Sequence, residues 1–335
     1  MKALRLHRVG DLRLHNEPRP TPGPGEVLLR VTAVGVCGSD LHWYSEAGIG
    51  DAKLERPLIL GHEFAGVIES GQRCGQRVAV DPSVSCGNCE FCREGNPNLC
   101  SALRFAGHGV EDGALREYMV WPAKCCYPIP DTLTDAEAVM LEPLGVAIHA
   151  VDLGQVKPGM TVGVFGCGPL GLLLLQVARV AGAARLFATE TLAHRLEAAR
   201  ALDVAAAFQA DDGRESDKIL ALTTGKGVDV ALEATEENGA VEAAIAATRS
   251  GGSVVLVGIP SDDRTAFTAS VARRKGLTIK LTRRMKHAYP RAIRLVESGL
   301  VDVRALVTHH FPLAEFEAAF SSARRREGLK VIIEP

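Results

Sequence analysis

Thr161-Val162-Gly163-Val164-Phe165-Gly166-Cys167-Gly168-Pro169-Leu170-Gly171 decides the fold of this chain. Its first five residues read as a buried strand, the next six fit G-x-G-x-x-G, and Leu172–Ala181 continues as an apolar helix. The glycine string alone is a weak signal. Its place between a strand and a helix is the context in which it holds a dinucleotide. There Gly166 permits the tight turn and Gly168 lets backbone approach a pyrophosphate. Gly171 lets helix and strand pack closely, and Pro169 and Leu170 open a helix whose N-terminus faces the phosphates.

The pattern extends downstream. The strand Arg185–Thr189 ends in Glu190, nineteen residues after Gly171. A carboxylate there accepts hydrogen bonds from ribose hydroxyls and repels a 2′-phosphate, so the expected cofactor is NAD rather than NADP; Arg195 is the nearby residue that suits a phosphate. Ala193–Leu202 reads as a helix, Val228–Leu232 and Ser253–Val257 as buried strands, and Ala240–Thr248 as the helix between them. Such alternation gives a parallel sheet covered on both faces. Upstream, the chain is richer in short strands and turns. Val27–Val34 follows the turn-rich Pro18–Gly25, and Phe64–Ile68 and Arg77–Val80 are further strands. Beyond about residue 284 the pattern mixes again, with helical Pro290–Ser298 and a last strand at Lys330–Ile333.

The bulk numbers exclude several classes. A chain of 335 residues is long for one core, so two domains are expected. With 47% hydrophobic and 23% charged residues the composition is that of a soluble globular protein, and a net charge of −2 gives no case for nucleic acid or a membrane surface. The most apolar stretch, Met160 to Leu175, is interrupted by glycines and falls short of the roughly 20 residues of a spanning helix. No long apolar stretch follows Met1-Lys2, and nine cysteines read as thiols and metal ligands, so a cytoplasmic location is expected.

Four of those cysteines lie within fifteen residues: Cys86, Cys89, Cys92 and Cys100, in C-x2-C-x2-C-x7-C spacing. Four thiolates in tetrahedral array suit a closed structural zinc site, which folds a lobe and does no chemistry. A disulfide framework would require an oxidising compartment. The ferredoxin pattern opens with the same spacing but continues x3-C-P, whereas seven residues separate Cys92 from Cys100 here and Ser101 follows. A second, open constellation lies in the same half of the chain. Cys37 and His62 are the clearest pair of ligands, and Glu63 and Glu142 are the candidate carboxylates, bound directly or through water. A catalytic zinc takes about three protein ligands and keeps one exchangeable position. Taken singly, each residue has an ordinary structural reading; their joint occurrence carries the hypothesis.

On these residues the chain resembles the zinc-dependent medium-chain dehydrogenases of the alcohol and polyol dehydrogenase family. CGSDLH, GHEFAGVI, the four-cysteine lobe, LEPLGVAIHA and GCGPLG occur in the family's order over essentially the whole chain. The resemblance implies an α/β protein. Its Rossmann doubly wound parallel sheet would span residues 151–284. A β-rich, GroES-like catalytic domain would span 1–150 and 285–335, with the zinc lobe at 85–101. Within the family the chain is most similar to sorbitol and xylitol dehydrogenases. That similarity implies hydride transfer from a secondary alcohol of a polyol to NAD, giving a ketose, with one catalytic and one structural zinc. Arg284 falls where polyol dehydrogenases place a substrate-binding arginine, with Arg283 adjacent; Glu142 and Trp43 are further substrate-side residues, and because Trp43-Tyr44 reverses the family's usual Tyr-Trp order, either ring could line the pocket. In the mechanism this resemblance implies, Ser39 and His42 are candidates to relay a hydroxyl proton to solvent. The resemblance also implies a dimer or tetramer assembled through the cofactor domain, and the apolar Ser253–Ile259 segment is expected at its edge. Readings that keep most of these residues are an L-threonine 3-dehydrogenase, a butanediol or other secondary-alcohol dehydrogenase, and a non-catalytic protein that binds zinc and NAD.

Overall fold

The glycine-turn segment folds as the strand Thr161–Phe165 followed by the helix Pro169–Val180 in a computed structural model that describes residues 1–335. Four of the strand's five residues are buried, and it lies at the centre of a six-stranded sheet. In spatial order the strands are Ala206–Gln209, Arg185–Glu190, Thr161–Phe165, Val228–Glu233, Thr248–Leu256 and Thr278–Leu281, all parallel. The chain steps outward from Thr161–Phe165 in one direction and then returns to fill the other side. The order therefore reverses beside the glycine turn, which is where an open parallel sheet takes its ligand. The helix Pro169–Val180 lays Leu172, Leu173, Leu174, Leu175 and Val177 into the core. Its buried Gln176 is satisfied by an exchange of two hydrogen bonds with the backbone of Asp302, at 3.0 and 2.7 Å.

One expectation about this sheet is corrected. Ser253–Ile259 is not its edge, because Thr248–Leu256 is paired on both sides. The edge is Thr278–Leu281, a strand the sequence reading passed over; its Leu281 is 74% exposed. The inner strand carries the apolar run and the outer one is Thr-Ile-Lys-Leu. The run drew the attention, although burial on both faces is what such a run signals.

By its internal contacts the chain forms two units: Met1–Glu142 with Tyr289–Ser298 and Val303–Pro335, and Pro143–Ala288 with Gly299–Asp302. The parallel sheet belongs to the second. The first is organised by the ten-residue strand Glu26–Gly35, which pairs with Tyr118–Pro122, Glu63–Ile68 and the C-terminal strand Lys330–Glu334 in a seven-stranded sheet. Trp43, Phe64, Trp121 and Phe320 are among the fully buried side chains of its core. The four-cysteine lobe is nearly devoid of regular structure, with one short helix, Glu90–Arg93, and one 3-10 turn, Pro97–Leu99. A segment with so few apolar residues has little core of its own and depends on cross-links.

Candidate functional site

The lobe brings its four thiols together. All four sulfurs lie within 4.8 Å of one another, with Cys89 Sγ 3.4 Å from Cys92 Sγ and Cys86 Sγ 4.0 Å from Cys92 Sγ. Four sulfurs at about 2.3 Å from one zinc would stand about 3.8 Å apart, so these spacings fit a tetrahedral thiolate site. The backbone N–H groups of Asn88 and Cys89 donate to Cys86 Sγ, and that of Cys86 donates to Cys100 Sγ. Such donors favour thiolates. The Cys92 N–H draws the Cys89 thiol down to about 6, whereas burial pushes Cys92 up to about 11. All nine cysteines are unpaired, and the disulfide reading is set aside.

The open constellation assembles from two turns. Cys37 caps the N-terminus of the helix Gly38–Glu46, and His62 and Glu63 sit where the chain enters the strand Glu63–Ile68. One ligand atom from each of Cys37, His62 and Glu63 falls within 4.8 Å of the others, and His62 and Glu63 are buried. One sulfur, one imidazole nitrogen and one carboxylate oxygen suit zinc with an open position. Glu142 stands outside this close group of three. It lies in the first turn of the helix Leu141–Gly154, is 5% exposed, and bears on the site through charge. Burial pushes its carboxyl up to about 8; Glu63 adds to the rise while His62 and Lys330 oppose it.

Two residues that sequence reasoning left aside hold the triangle in place. Asp40 is 1% exposed; its carboxylate accepts from the Cys37 N–H and from the Gly61 N–H, both at 3.0 Å, and stands 3.5 Å from His62 Nδ1. That leaves Nε2 as the coordinating atom of His62. Burial disfavours the imidazolium, but Asp40 overrides it and raises His62 well above the ordinary histidine value, and His62 in turn keeps Asp40 ionised. The signal for Asp40 was present: an aspartate three residues after the helix-capping position closes a capping box with it. Lys330, from the last strand, is the other. Its Nζ lies 2.6 Å from Glu63 Oε2, and both side chains are at most 5% exposed. Burial works against the ammonium, but Glu63 and Cys37 hold its affinity for the proton above the ordinary lysine value. Nothing in the local sequence marks this residue. Asp40→Asn keeps a polar group in place but removes the charge that orients His62. Zinc titration should show affinity at the open site roughly ten- to a hundredfold lower; unchanged affinity would reduce Asp40 to a helix cap.

The relay candidates take distinct places. Ser39 Oγ is 3.3 Å from His62 Nε2, beside the position a metal would occupy. His42 is buried and pairs through Nδ1 with Glu46 Oε1 at 3.1 Å, and Glu46 is 44% exposed. Of the adjacent rings Trp43 and Tyr44, Trp43 packs into the core cluster. It is 1% exposed and meets His108 edge-on at 5.3 Å. Phe105 contacts both the His62 ring and the His108 ring, at 5.2 and 6.4 Å between centroids. Neither Phe105 nor His108 carried a sequence signal.

In the second unit the glycine turn meets the demands of a dinucleotide cradle. Gly166 has φ +94°, and a Cβ there would fall 2.5 Å from Thr235 Cγ2. A Cβ on Gly171 would fall 1.9 Å from the Gly166 carbonyl oxygen. Gly168 has ordinary backbone geometry and is the helix cap; a Cβ on it would stand 3.3 Å from Arg195 Nη1. Pro169 opens the helix and leaves Leu170 half-buried behind it. Glu190 is fixed at the strand end: Oε2 accepts from the Cys167 N–H at 2.8 Å, and Oε1 from the N–H groups of Thr191 and Leu192 at 2.7 and 2.9 Å. Oε2 retains a free acceptor direction for a ribose hydroxyl, so the residues fit the group. Arg284 lies in this unit too, half-buried, with φ +54°.

Comparison with known proteins follows the same division. The family model described as alcohol dehydrogenase GroES-like domain matches residues 23–131, and the one described as zinc-binding dehydrogenase matches residues 169–298. The sorbitol dehydrogenase of Bacillus subtilis is 36% identical over 343 residues, covering 100% of this chain and 97% of that protein. The sorbitol dehydrogenase of Homo sapiens is 37% identical, covering 99% of this chain and 95% of that protein. The crystal structure of an Escherichia coli alcohol dehydrogenase complexed with NADH superposes with a TM-score of 0.91 at 30% identity, covering 100% of this chain and 99% of that one.

Proposed function

Since the chain belongs to the zinc-binding alcohol dehydrogenase family, we propose that it oxidises a secondary alcohol of a sugar alcohol to the ketose, with NAD as the hydride acceptor. It is a zinc- and NAD-dependent alcohol dehydrogenase; the polyol as substrate rests on the sorbitol dehydrogenases that match it from end to end. The observation that carries the catalytic reading is the convergence of Cys37, His62 and Glu63, the last two buried. When bound there, zinc supplies a Lewis acid that lowers the pKa of a hydroxyl, and NAD takes the hydride.

The chain's own residues do the rest. Cys37, His62 and Glu63 hold the metal, and Asp40 fixes the His62 ring. Ser39 Oγ, beside His62 Nε2, receives the substrate hydroxyl proton, and His42, hydrogen-bonded to the exposed Glu46, passes it outward. The buried Glu142 carboxyl bears on the same metal, directly or through water. Gly166, Gly168, Pro169, Leu170 and Gly171 receive the pyrophosphate, Glu190 the adenosine ribose, and Arg195, whose guanidinium lies beside Gly168, suits a phosphate. Cys86, Cys89, Cys92 and Cys100 hold the structural zinc. Assembly into a dimer or tetramer would use the exposed edge Thr278–Leu281. A cytoplasmic setting suits nine unpaired thiols, and no helix is long and apolar enough to cross a membrane.

The test is NAD reduction by the zinc-loaded protein across sugar alcohols, butanediol, simple alcohols and L-threonine. The expected result is turnover with a five- or six-carbon polyol, supported by NAD and poorly by NADP. Turnover with threonine or small alcohols alone would retain the chemistry and discard the polyol.

A further inference from the structure

We propose that Glu233 is a positioning residue for the nicotinamide half of the cofactor: its carboxylate fixes Thr235, clasped between two glycines, as a rigid wall beside the glycine turn. The proposal rests on the reading above that this turn holds the pyrophosphate of NAD.

Strand order puts Glu233 where such a wall is needed. Thr161–Phe165, which feeds the glycine turn, pairs with Arg185–Glu190 on one side and with Val228–Glu233 on the other. Glu190 ends the first neighbour, and Glu233 ends the second, opposite Phe165. With the adenosine ribose on Glu190 and the pyrophosphate on the turn, the second ribose and its ring are left to lie over Val228–Glu233 and Thr248–Leu256.

The fold uses the two carboxylates differently. Glu190 keeps an acceptor direction for a ribose hydroxyl. Glu233 is 2% exposed, and its Oε1 accepts from the Thr235 N–H and the Thr235 hydroxyl, both at 2.6 Å. Burial raises this carboxyl above the ordinary glutamate value, against the donors of Thr235 and Gly258. An apolar side chain would fill the space without that penalty, so the residue is explained by the groups it holds.

Those groups form a wall. A Cβ on Gly166 would fall 2.5 Å from Thr235 Cγ2 and 2.9 Å from the Ala234 carbonyl oxygen. A Cβ on Gly258 would fall 1.6 Å from the Thr235 carbonyl oxygen. Thr235 is therefore clasped between the glycine turn and the turn that follows Thr248–Leu256. The Val257 and Gly258 N–H groups donate to the Glu233 carbonyl at 2.8 and 3.3 Å, so the backbone of Glu233 ties down that second turn as well. The Thr235 hydroxyl extends the tie by accepting from the Glu237 N–H at 3.0 Å, at the cap of the helix Asn238–Ala247. Without the carboxylate, the Thr235 N–H and hydroxyl lose their acceptor and the segment is released from the turn. The adenosine side is anchored separately, because Glu190 takes its donors from Cys167, Thr191 and Leu192, none of them in the segment that Glu233 holds.

The test compares NADH affinity, by fluorescence titration, with ADP affinity, by calorimetry, in the wild-type protein, E233A and E233Q. ADP carries the adenosine and two phosphates but no nicotinamide half. E233A should bind NADH at least roughly tenfold more weakly, because two donors lose their acceptor, and should bind ADP within about twofold of wild type. E233Q keeps an acceptor oxygen for Thr235 and should stay within about threefold of wild type for both ligands. If E233A fails to fold, T235V, close in shape and lacking the hydroxyl, carries the same comparison, with a loss of about threefold for NADH alone. Equal weakening of NADH and ADP, as from a general loosening of the unit, would overturn the proposal, and so would unchanged NADH affinity. A wild-type protein that binds neither ligand would overturn the cofactor reading itself, so the two failures are distinguishable in the wild type.

Discussion

Cys37→Ser abolishes NAD reduction, lowering kcat/KM by at least roughly a thousandfold, because it removes the single thiolate of the open site. The substitution is close to isosteric, and Cys37 is half-buried at a helix start where its backbone makes the structural contacts. The Cys37 N–H still donates to the Asp40 carboxylate, and its carbonyl still accepts from the N–H groups of Asp40 and Leu41. Stability should therefore change by no more than about 1 kcal/mol. The diagnostic measurement is zinc content: one equivalent per chain in place of two, with NAD affinity retained, since the glycine turn and Glu190 lie in the other unit. Full activity with two zinc equivalents would mean that the catalytic metal sits elsewhere.

Gly171→Ala is the larger perturbation of the cofactor unit. In an ordinary helix alanine is favoured over glycine by about 1 kcal/mol. At this position the sign reverses. The added Cβ would lie 1.9 Å from the Gly166 carbonyl oxygen and 2.8 Å from its carbonyl carbon, both rigid backbone. The helix must move off the turn, and Gly166, with φ +94° and its own close contacts at Thr235 and Ala234, cannot absorb the shift. Overpacking of this kind costs about 1–3 kcal/mol. Because the same movement displaces the N–H groups that face the pyrophosphate, NAD affinity should fall by at least about tenfold. Thermal melting and fluorescence titration with NADH check both. Gly239→Ala is the control: it lies in the helix Asn238–Ala247, and a Cβ there meets nothing within 4 Å, so it should be neutral to slightly stabilising. If the two substitutions behave alike, close packing at the turn does not explain Gly171.

What the sequence determined by itself was whatever is encoded over short separations. The four-cysteine lobe spans fifteen residues, and its sulfurs converge because the chain between them is too short to do otherwise. The glycine turn is a local backbone requirement, readable from the absence of side chains at three positions. The strand and helix alternation of the parallel unit was legible because burial on both faces imprints continuous apolar runs and a helical period. Cys37, His62 and Glu63 were recognisable as ligand types in suggestive order, though spacing could not exclude Glu142.

Tertiary structure alone decided which of these groups meet. Cys37, His62 and Glu63 converge closely, and Glu142, in the first turn of the helix Leu141–Gly154, stands outside that group. Asp40 touches three residues, one of them the imidazole of a residue twenty-two positions away. Lys330 reaches Glu63 across 267 residues, through a strand pairing that no local pattern announces. Trp43 is packed in the core at 1% exposure, and the edge of the parallel sheet proved to be Thr278–Leu281. The reason is common to all of them. Periodicity and motif spacing record what a segment does with its own backbone, whereas the pairing of buried charges depends on strand order and register, which are set by the packing of the whole chain.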